Sequence, residues 1–356
     1  MTSVLHPRGS TPPLVLSIAG GKGGVGKSFI CSNLASSFAA QGLRVVAIDL
    51  DFGAANLHTL FGIRKPNKSL IDYFNTPRSF LADFIIPTEE ANLSLASCTG
   101  FTSENLSLKH FQKIKLMKHI QMLPYDLVIL DLGAGSSKHV VDFFSITHAG
   151  LIITTPEPTA MMNAYEFIKN AAFRILFNFL KKEKSLTKKL KELSYQFEKN
   201  SSSLSFSQLV YELTNTLPGA EEIFWDLIKE LNYFIIINQG KSLSDVQLGS
   251  KFQNVLKKHL NLSTTYLSCL PFDSEVSRSV IKMRPISLLY PQGILSKNFT
   301  RSAKIIGKVM CQKSSTTLKI EEHENYSQNA LLWGEKDIED TNIQRLKLEA
   351  KKNLMK

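Results

Sequence analysis

The sequence predicts an α/β fold: a mostly parallel, twisted sheet with helices on both faces, in a three-layer sandwich. Three observations predict it. Short, continuous apolar runs recur along the chain, the form a strand takes when both of its faces are buried. These runs end in Gly, Asp, Asn or Pro-containing sequence, where a strand gives way to a loop. Between them lie stretches with apolar residues at helical spacing, so strand and helix alternate.

The elements follow in order. Leu14 to Ile18 is the first apolar run and breaks at glycines, and Phe29 to Ala40 continues with helical periodicity. Strand, glycine loop, helix is the order a phosphate-binding loop requires. Arg44 to Ile48 leads into Asp49-Leu50-Asp51, and Leu127 to Leu130 leads into Asp131. Leu151 to Thr155 and Tyr233 to Ile237 supply two further strands, and Leu267 to Leu270 precedes Pro271-Phe272-Asp273. Leu106 to Leu123 repeats apolar residues at Phe111, Ile114 and Met117 or Met122, interleaved with Lys109, Lys113, Lys115 and Lys118, and is expected to be a surface helix.

Over about residues 175–231 the distance from one strand to the next exceeds a single crossover. A Lys-rich part (Lys181 to Lys199), a Ser cluster (Ser201 to Ser207) and an apolar helical part (Ala220 to Leu231) make this a helical insertion. One large domain is thus expected over residues 14–310, after a flexible segment over 1–13. Beyond Met310, Ser314 to Thr317 reads as a linker, Glu321 to Asp340 is mainly acidic and Arg345 to Lys356 mainly basic. This charged tail, 311–356, is expected outside the core and partly disordered.

With 43% hydrophobic and 21% charged residues in a chain of 356, there is apolar material for one large core. The net charge of +11 favours an anionic partner such as nucleic acid, acidic lipid or acidic protein. Cys31, Cys98, Cys269 and Cys311 are far apart with no C-x-x-C pair, which argues for reduced thiols rather than a zinc or cluster site. The first residues lack the apolar core of a signal peptide, and no run approaches the about 18 apolar residues of a membrane span. A cytoplasmic protein is expected, at most peripheral at the inner face of a membrane.

The chemistry concentrates in Gly21-Lys22-Gly23-Gly24-Val25-Gly26-Lys27-Ser28, which matches G-x-x-x-x-G-K-S. Glycines let main-chain N–H groups converge on phosphate oxygens, and the helix that begins at the loop's end favours negative charge there. Lys27 is placed to reach the β- and γ-phosphates and Ser28 to bind Mg²⁺, with Phe29 completing the loop. Asp51 and Asp131, at strand ends beside such a loop, are where carboxylates serve a metal ion or a water; the bland alternative is that they merely terminate strands.

The extra lysine, Lys22, makes the loop KGGVGKS, and here the sequence resembles the MinD/ParA/Mrp family of deviant-Walker P-loop ATPases, over about Leu14 to Met310. Thr154-Thr155-Pro156-Glu157-Pro158-Thr159 is similar to its MinD and FlhG/FleN branches and would shape a dimer face. The resemblance implies a P-loop NTPase fold, ATP and Mg²⁺ as cofactors, slow hydrolysis of ATP to ADP and phosphate, and an ATP-dependent homodimer. Lys22 would cross that dimer to the partner's nucleotide. Asp51, in Asp49-Leu50-Asp51-Phe52-Gly53-Ala54-Ala55-Asn56-Leu57, would orient the attacking water near Mg²⁺, with Asn56 touching nucleotide or partner. Asp131 would hold Mg²⁺ through water or Ser28, and Asn238 and Pro271 would hold the adenine.

Lys22, Lys27 and Asp51 are therefore the candidate catalytic residues, and Ser28, Asp51 and Asp131 the candidate metal residues. The implied function is a dimerising switch that controls the positioning or assembly of a cellular partner, of the cell-division, chromosome-partition or flagellar type. That partner is an unidentified protein, with transient membrane contact or nonspecific DNA contact as further candidates. Ile343, Leu346, Ala350 and Leu354 make a thin apolar stripe in the tail, and Lys181 to Lys199 a basic run. The residues leave two alternatives of another class: an ATP-dependent ligase of the dethiobiotin or cobyrinate synthetase kind, and a cluster carrier of the Mrp kind.

Overall fold

A computed structural model of the chain describes residues 12–100, 108–145, 147, 149–180, 206–215, 219–311 and 316–354. The Lys-rich run Lys181 to Lys199, most of the Ser cluster, Ser314 and Ser315 of the expected linker and residues 1–11 lie outside them.

Six of the eight strands are the expected apolar runs: β1 (Leu14–Ala19), β2 (Val45–Leu50), β5 (Leu127–Leu132), β6 (Ala149–Thr154), β7 (Asn232–Gly240) and β8 (Thr264–Pro271). Two short ones, β3 (Ile86–Pro87) and β4 (Leu93–Ala96), complete a sheet of order β3-β4-β2-β5-β1-β6-β7-β8. All neighbours are parallel except β3 and β4. β1 lies between β5 and β6, so the chain leaves the centre in one direction and later returns to extend it in the other. The carboxyl end of β1 is thus the switch point where an open parallel sheet offers a ligand crevice.

Two buried layers flank the sheet. On one face α1 (Lys27–Ala39) is sandwiched between strands and α12 (Ile294–Cys311), and is buried around most of its circumference. The other face carries α4 (His110–Ile120), α5 (Lys138–Ser145), α6 (Pro158–Leu180) and α9 (Leu243–Leu260). Three short helices, α2 (Leu57–Leu60), α3 (Leu70–Asn75) and one turn of 3₁₀ helix (Leu81–Phe84), fill the β2–β3 connection. The expected insertion is helical where it is described, as the end of α6, α7 (Phe206–Thr214) and α8 (Ala220–Lys229). The helices α10 (Glu275–Ile281) and α11 (Ile286–Leu289) follow β8. Among the described residues no helix is long and apolar enough to cross a membrane.

Two expectations are corrected. The helix expected over Leu106 to Leu123 exists as α4, but it packs by the opposite face: Phe111 and Met122 are 63% and 70% exposed, whereas Lys113, Leu116 and Ile120 are buried. That face carries Leu116 and Ile120, whose apolar side chains join the core, with Met117 partly buried beside them. The ammonium of Lys113 meets the carboxylate of Asp142 on α5, which is also ion-paired with Arg174 on α6, so the lysine turns inward.

The middle of the segment after Met310, about Ser327 to Ile338, does not lie outside the core. Thr316–Leu354 is one helix, α13, laid along the free edge of β8 and packed against α9 and α12. Ala330 and Ile338 are buried, Asp337 bonds to Asn298 and Arg301 of α12, and the Ser327 hydroxyl accepts the edge N–H of Tyr266 at 3.0 Å. A helix over an edge strand removes a row of unpaired main-chain groups from solvent.

Burial alone would raise the Asp142 carboxyl, but the hydrogen bonds from Lys113 and Arg174 outweigh it and hold the group below its ordinary value. A carboxyl depressed on folding adds stability above its unfolded pKa, and that contribution is lost as pH falls through the folded value. Asp142→Asn leaves Lys113 buried without its anion and is expected to cost about 3 kcal/mol at neutral pH. Urea melts of both proteins should converge as the pH is taken below the ordinary carboxylate range.

Candidate functional site

The loop Gly20 to Gly26 joins β1 to α1, and the helix starts at Lys27 with Gly26 as its N-cap. No acidic residue stands in the first turn, so the N–H groups of Lys27, Ser28 and Phe29 are left to an outside anion. Gly26 has φ 95°, a left-handed conformation, and a Cβ there would lie 2.4 Å from the Asn238 side chain. At Gly21 a Cβ would lie 2.1 Å from the main chain of Asn163, so the loop can rest on the first turns of α6 only with glycine. By contrast Gly23 and Gly24 face open space, the room a polyphosphate needs.

Lys27 is only 8% exposed and Asp131 1%. Parallel pairing sets Asp131 beside Asp49 and beside Ile18, one residue before the end of β1. The Ser28 hydroxyl bonds to Asp131, yet Oδ1 of that carboxylate is buried with no partner among the described residues. Burial first, and then the neighbouring Asp49 carboxylate, push Asp131 upward despite Ser28 and Lys27. Burial also pushes Asp49 upward, against the N–H donors of Asp51 (3.0 Å) and Leu57 (3.2 Å). A protein-enclosed carboxylate oxygen lacking a donor, next to a serine hydroxyl and an open glycine cradle, fits a magnesium ion carried on a polyphosphate.

Asp51 is half-buried, accepts the Ala54 N–H at 3.2 Å, and stands close to Gly133 in the loop after β5. The structure therefore gathers Lys27, Ser28, Asp51 and Asp131 at three adjacent strand ends. Val25 is buried beneath the loop, and Phe29 packs edge-on against Phe299, so any contact it makes with a phosphate is through its main chain. Asn56 is on the exposed side, its amide donating to the Ala54 carbonyl at 2.9 Å. Asn238 is committed to the loop itself, donating to the Val25 carbonyl at 2.8 Å, while Pro271 ends β8 farther along the same edge.

Lys22 stands apart from the buried cluster. It is turned to the surface and ion-paired at 3.3 Å with Glu157, just before α6. Two further participants were missed by sequence reasoning. Glu157 stood inside the Thr154 to Thr159 segment without a partner in view, and Gln239 reaches the Gly24 carbonyl at 3.5 Å from its place beside Asn238. Their only signal was adjacency to residues already singled out.

Residues 16–286 match the family model described as the CobQ/CobB/MinD/ParA nucleotide binding domain. The chain belongs to this family. Within the CobQ/CobB/MinD/ParA group, its relatives include the antiactivator FleN of Pseudomonas aeruginosa, 29% identical over 82% of this chain and 86% of that protein. Another is the flagellum site-determining protein YlxH of Helicobacter pylori, 31% identical over 43% of this chain and 52% of that one. Among solved structures, the septum site-determining protein MinD complexed with Mg-ADP from Pyrococcus horikoshii superimposes with a TM-score of 0.57 over 85% of this chain and 99% of that one, at 19% identity. The MinC:MinD complex of Aquifex aeolicus gives 0.53 at 17% identity, over 85% and 98%. These structural matches establish that the family's fold is the fold of this chain.

The crowding at Gly21 carries a prediction. Gly21→Ala must push the loop off α6, and is expected to lower stability by about 1–3 kcal/mol and to weaken nucleotide binding. Thermal melts with and without Mg-ADP would check both effects.

Proposed function

We propose that the chain is an ATP-hydrolysing, dimerising switch that controls where or when a cellular assembly forms, of the flagellar or division-site type. The observation that carries the reading is the buried Lys27-Ser28-Asp131 group under an open glycine cradle, with a second lysine of the same loop at the molecular surface. Its support is membership of a nucleotide-binding family whose MinD and ParA members are ATPases, together with the printed roles of relatives, an antiactivator and a flagellum site-determining protein.

In this reading Lys27 and the first N–H groups of α1 grip the β- and γ-phosphates. Ser28, and through it or a water Asp131, would hold Mg²⁺, which would neutralise phosphate charge when bound. Asp51, at the end of the next strand, orients the attacking water. Asn56 and Lys22 face outward, toward a second copy of the chain. Lys22 leaves Glu157 and crosses to the partner's nucleotide, adding positive charge where the transition state needs it. Because the Lys22–Glu157 pair is exposed, breaking it costs little, so the lysine is free to change partners. Two closed copies then present a surface that separate copies lack, and hydrolysis returns them to the open state. The chain works in the cytoplasm, with its protein partner or a membrane as the thing positioned.

The three polar residues predict three separable defects. Lys27→Ala should lose nucleotide affinity by at least about a hundredfold. Lys22→Ala should bind Mg-ATP nearly as the parent does but fail to dimerise on it, with turnover down about a hundredfold. Asp51→Ala should dimerise on Mg-ATP and persist as a dimer, with turnover reduced by a similar factor of about a hundred. Calorimetry, light scattering and phosphate release would separate the three; nucleotide binding retained in Lys27→Ala would remove the site from contention.

A further inference from the structure

Beyond the phosphate loop, a cavity of about 580 Å³ opens at the carboxyl ends of β7 and β8. Its floor and inner wall are Gly240, Pro271 and Phe272, and its outer wall is a stretch of α13 that includes Ile338, Asn342 and Arg345. Its size is that of a small-molecule site, for which about 300–1,000 Å³ is usual. Strand β7 links it directly to the loop. Asn238 touches Val25 and Gly26, and Gly240 lines the cavity two residues on, about 7 Å along the strand. Gly240 and Phe272 are joined by a 2.8 Å main-chain bond, so the two strand ends form one continuous rim.

The chemistry of the walls is selective. Pro271, Phe272 and Ile338 give an apolar surface, and the Phe272 ring is 55% exposed with the Lys241 ammonium 5.6 Å from its centroid. Around them stand the amide groups of Asn342 and Gln344, the carboxylates of Asp273 and Glu275 and the guanidinium groups of Arg278 and Arg345. The carboxylates can accept from ribose hydroxyls and exocyclic amines, and the amides both donate and accept, as a heteroaromatic base requires. Asn342 is exposed.

We propose that α13 forms the outer wall of the nucleotide site, with Asn342 contacting the base or ribose of a nucleoside polyphosphate whose phosphates lie in the glycine loop. This rests on the nucleotide-binding reading and adds to it a specificity element supplied by the helix that seals the sheet's edge. Bound nucleoside therefore bridges β7, β8 and α13, and steadies the helix over residues 338–345.

The full chain is titrated with Mg-ADP and with magnesium tripolyphosphate, which has no base, and amide exchange is followed over residues 338–345. Asn342→Ala and Asn342→Trp alter an exposed position, so the fold is kept. The expected result is that Asn342→Trp weakens Mg-ADP about tenfold and Asn342→Ala about threefold, with tripolyphosphate within about twofold of the parent. Mg-ADP, but not tripolyphosphate, should slow exchange in those turns. Unchanged Mg-ADP affinity in Asn342→Trp with no slowing of exchange overturns the proposal and leaves the phosphate site standing. An equal loss for both ligands assigns the effect to the fold and overturns it too. If the parent chain binds neither ligand, the nucleotide reading itself falls, and this inference with it.

Discussion

Three ionisable side chains, Lys27, Asp49 and Asp131, are buried at the ends of adjoining strands, and the rest of the molecule is arranged around holding them there. Burying a charge is unfavourable unless other charges or donors compensate it. Here compensation is partial. The main-chain N–H groups of Asp51 and Leu57 satisfy Asp49, Ser28 and Lys27 attend to Asp131, and both carboxyls are still driven toward the protonated form. Parallel strand pairing imposes this crowding, since Asp49 and Asp131 are register partners. A divalent cation carried in on a polyphosphate would relieve it beside the buried Asp131 Oδ1, which has no hydrogen-bond partner among the described residues.

The two lysines of one short loop have been given opposite environments. Lys27 opens a helix that is enclosed between sheet and α12, so its position is fixed by packing. Lys22 sits where the loop rises clear of the fold, and its ion pair with Glu157 is solvated on both sides. The stretch from Lys22 to Lys27 therefore turns one lysine inward and the other outward. The glycines between them, free of neighbours at Gly24 and nearly so at Gly23, leave the space in which a ligand would touch both.

Six strands could be read from the sequence because a strand buried on both faces is written as an uninterrupted apolar run. The phosphate loop could be read because its parts are contiguous. What escaped was decided by partners distant along the chain. The inward turn of Lys113 is met by Asp142, 29 residues away, and puts a lysine on the buried face of α4. Strands β3 and β4 are too short to carry a pattern. The residues after Met310 have a composition that suggests a solvated tail, yet Ser327, Ala330, Gly334 and Ile338, spaced three or four apart, are enough to seat a helix against β8 and α9. Of the site, Lys27, Ser28, Asp51 and Asp131 come together as their motifs suggested. The tie of Lys22 to Glu157 spans 135 residues and had no local sign.

The seating of α13 on β8 has a consequence for biosynthesis. Every strand is translated before the helix that shields the sheet's last border. A ribosome-bound chain thus completes its sheet while the main-chain amide of Tyr266 is still without the Ser327 hydroxyl, and a neighbouring nascent chain could add a strand there. The safety of the newborn protein depends on how quickly the residues of α13 emerge and fold back.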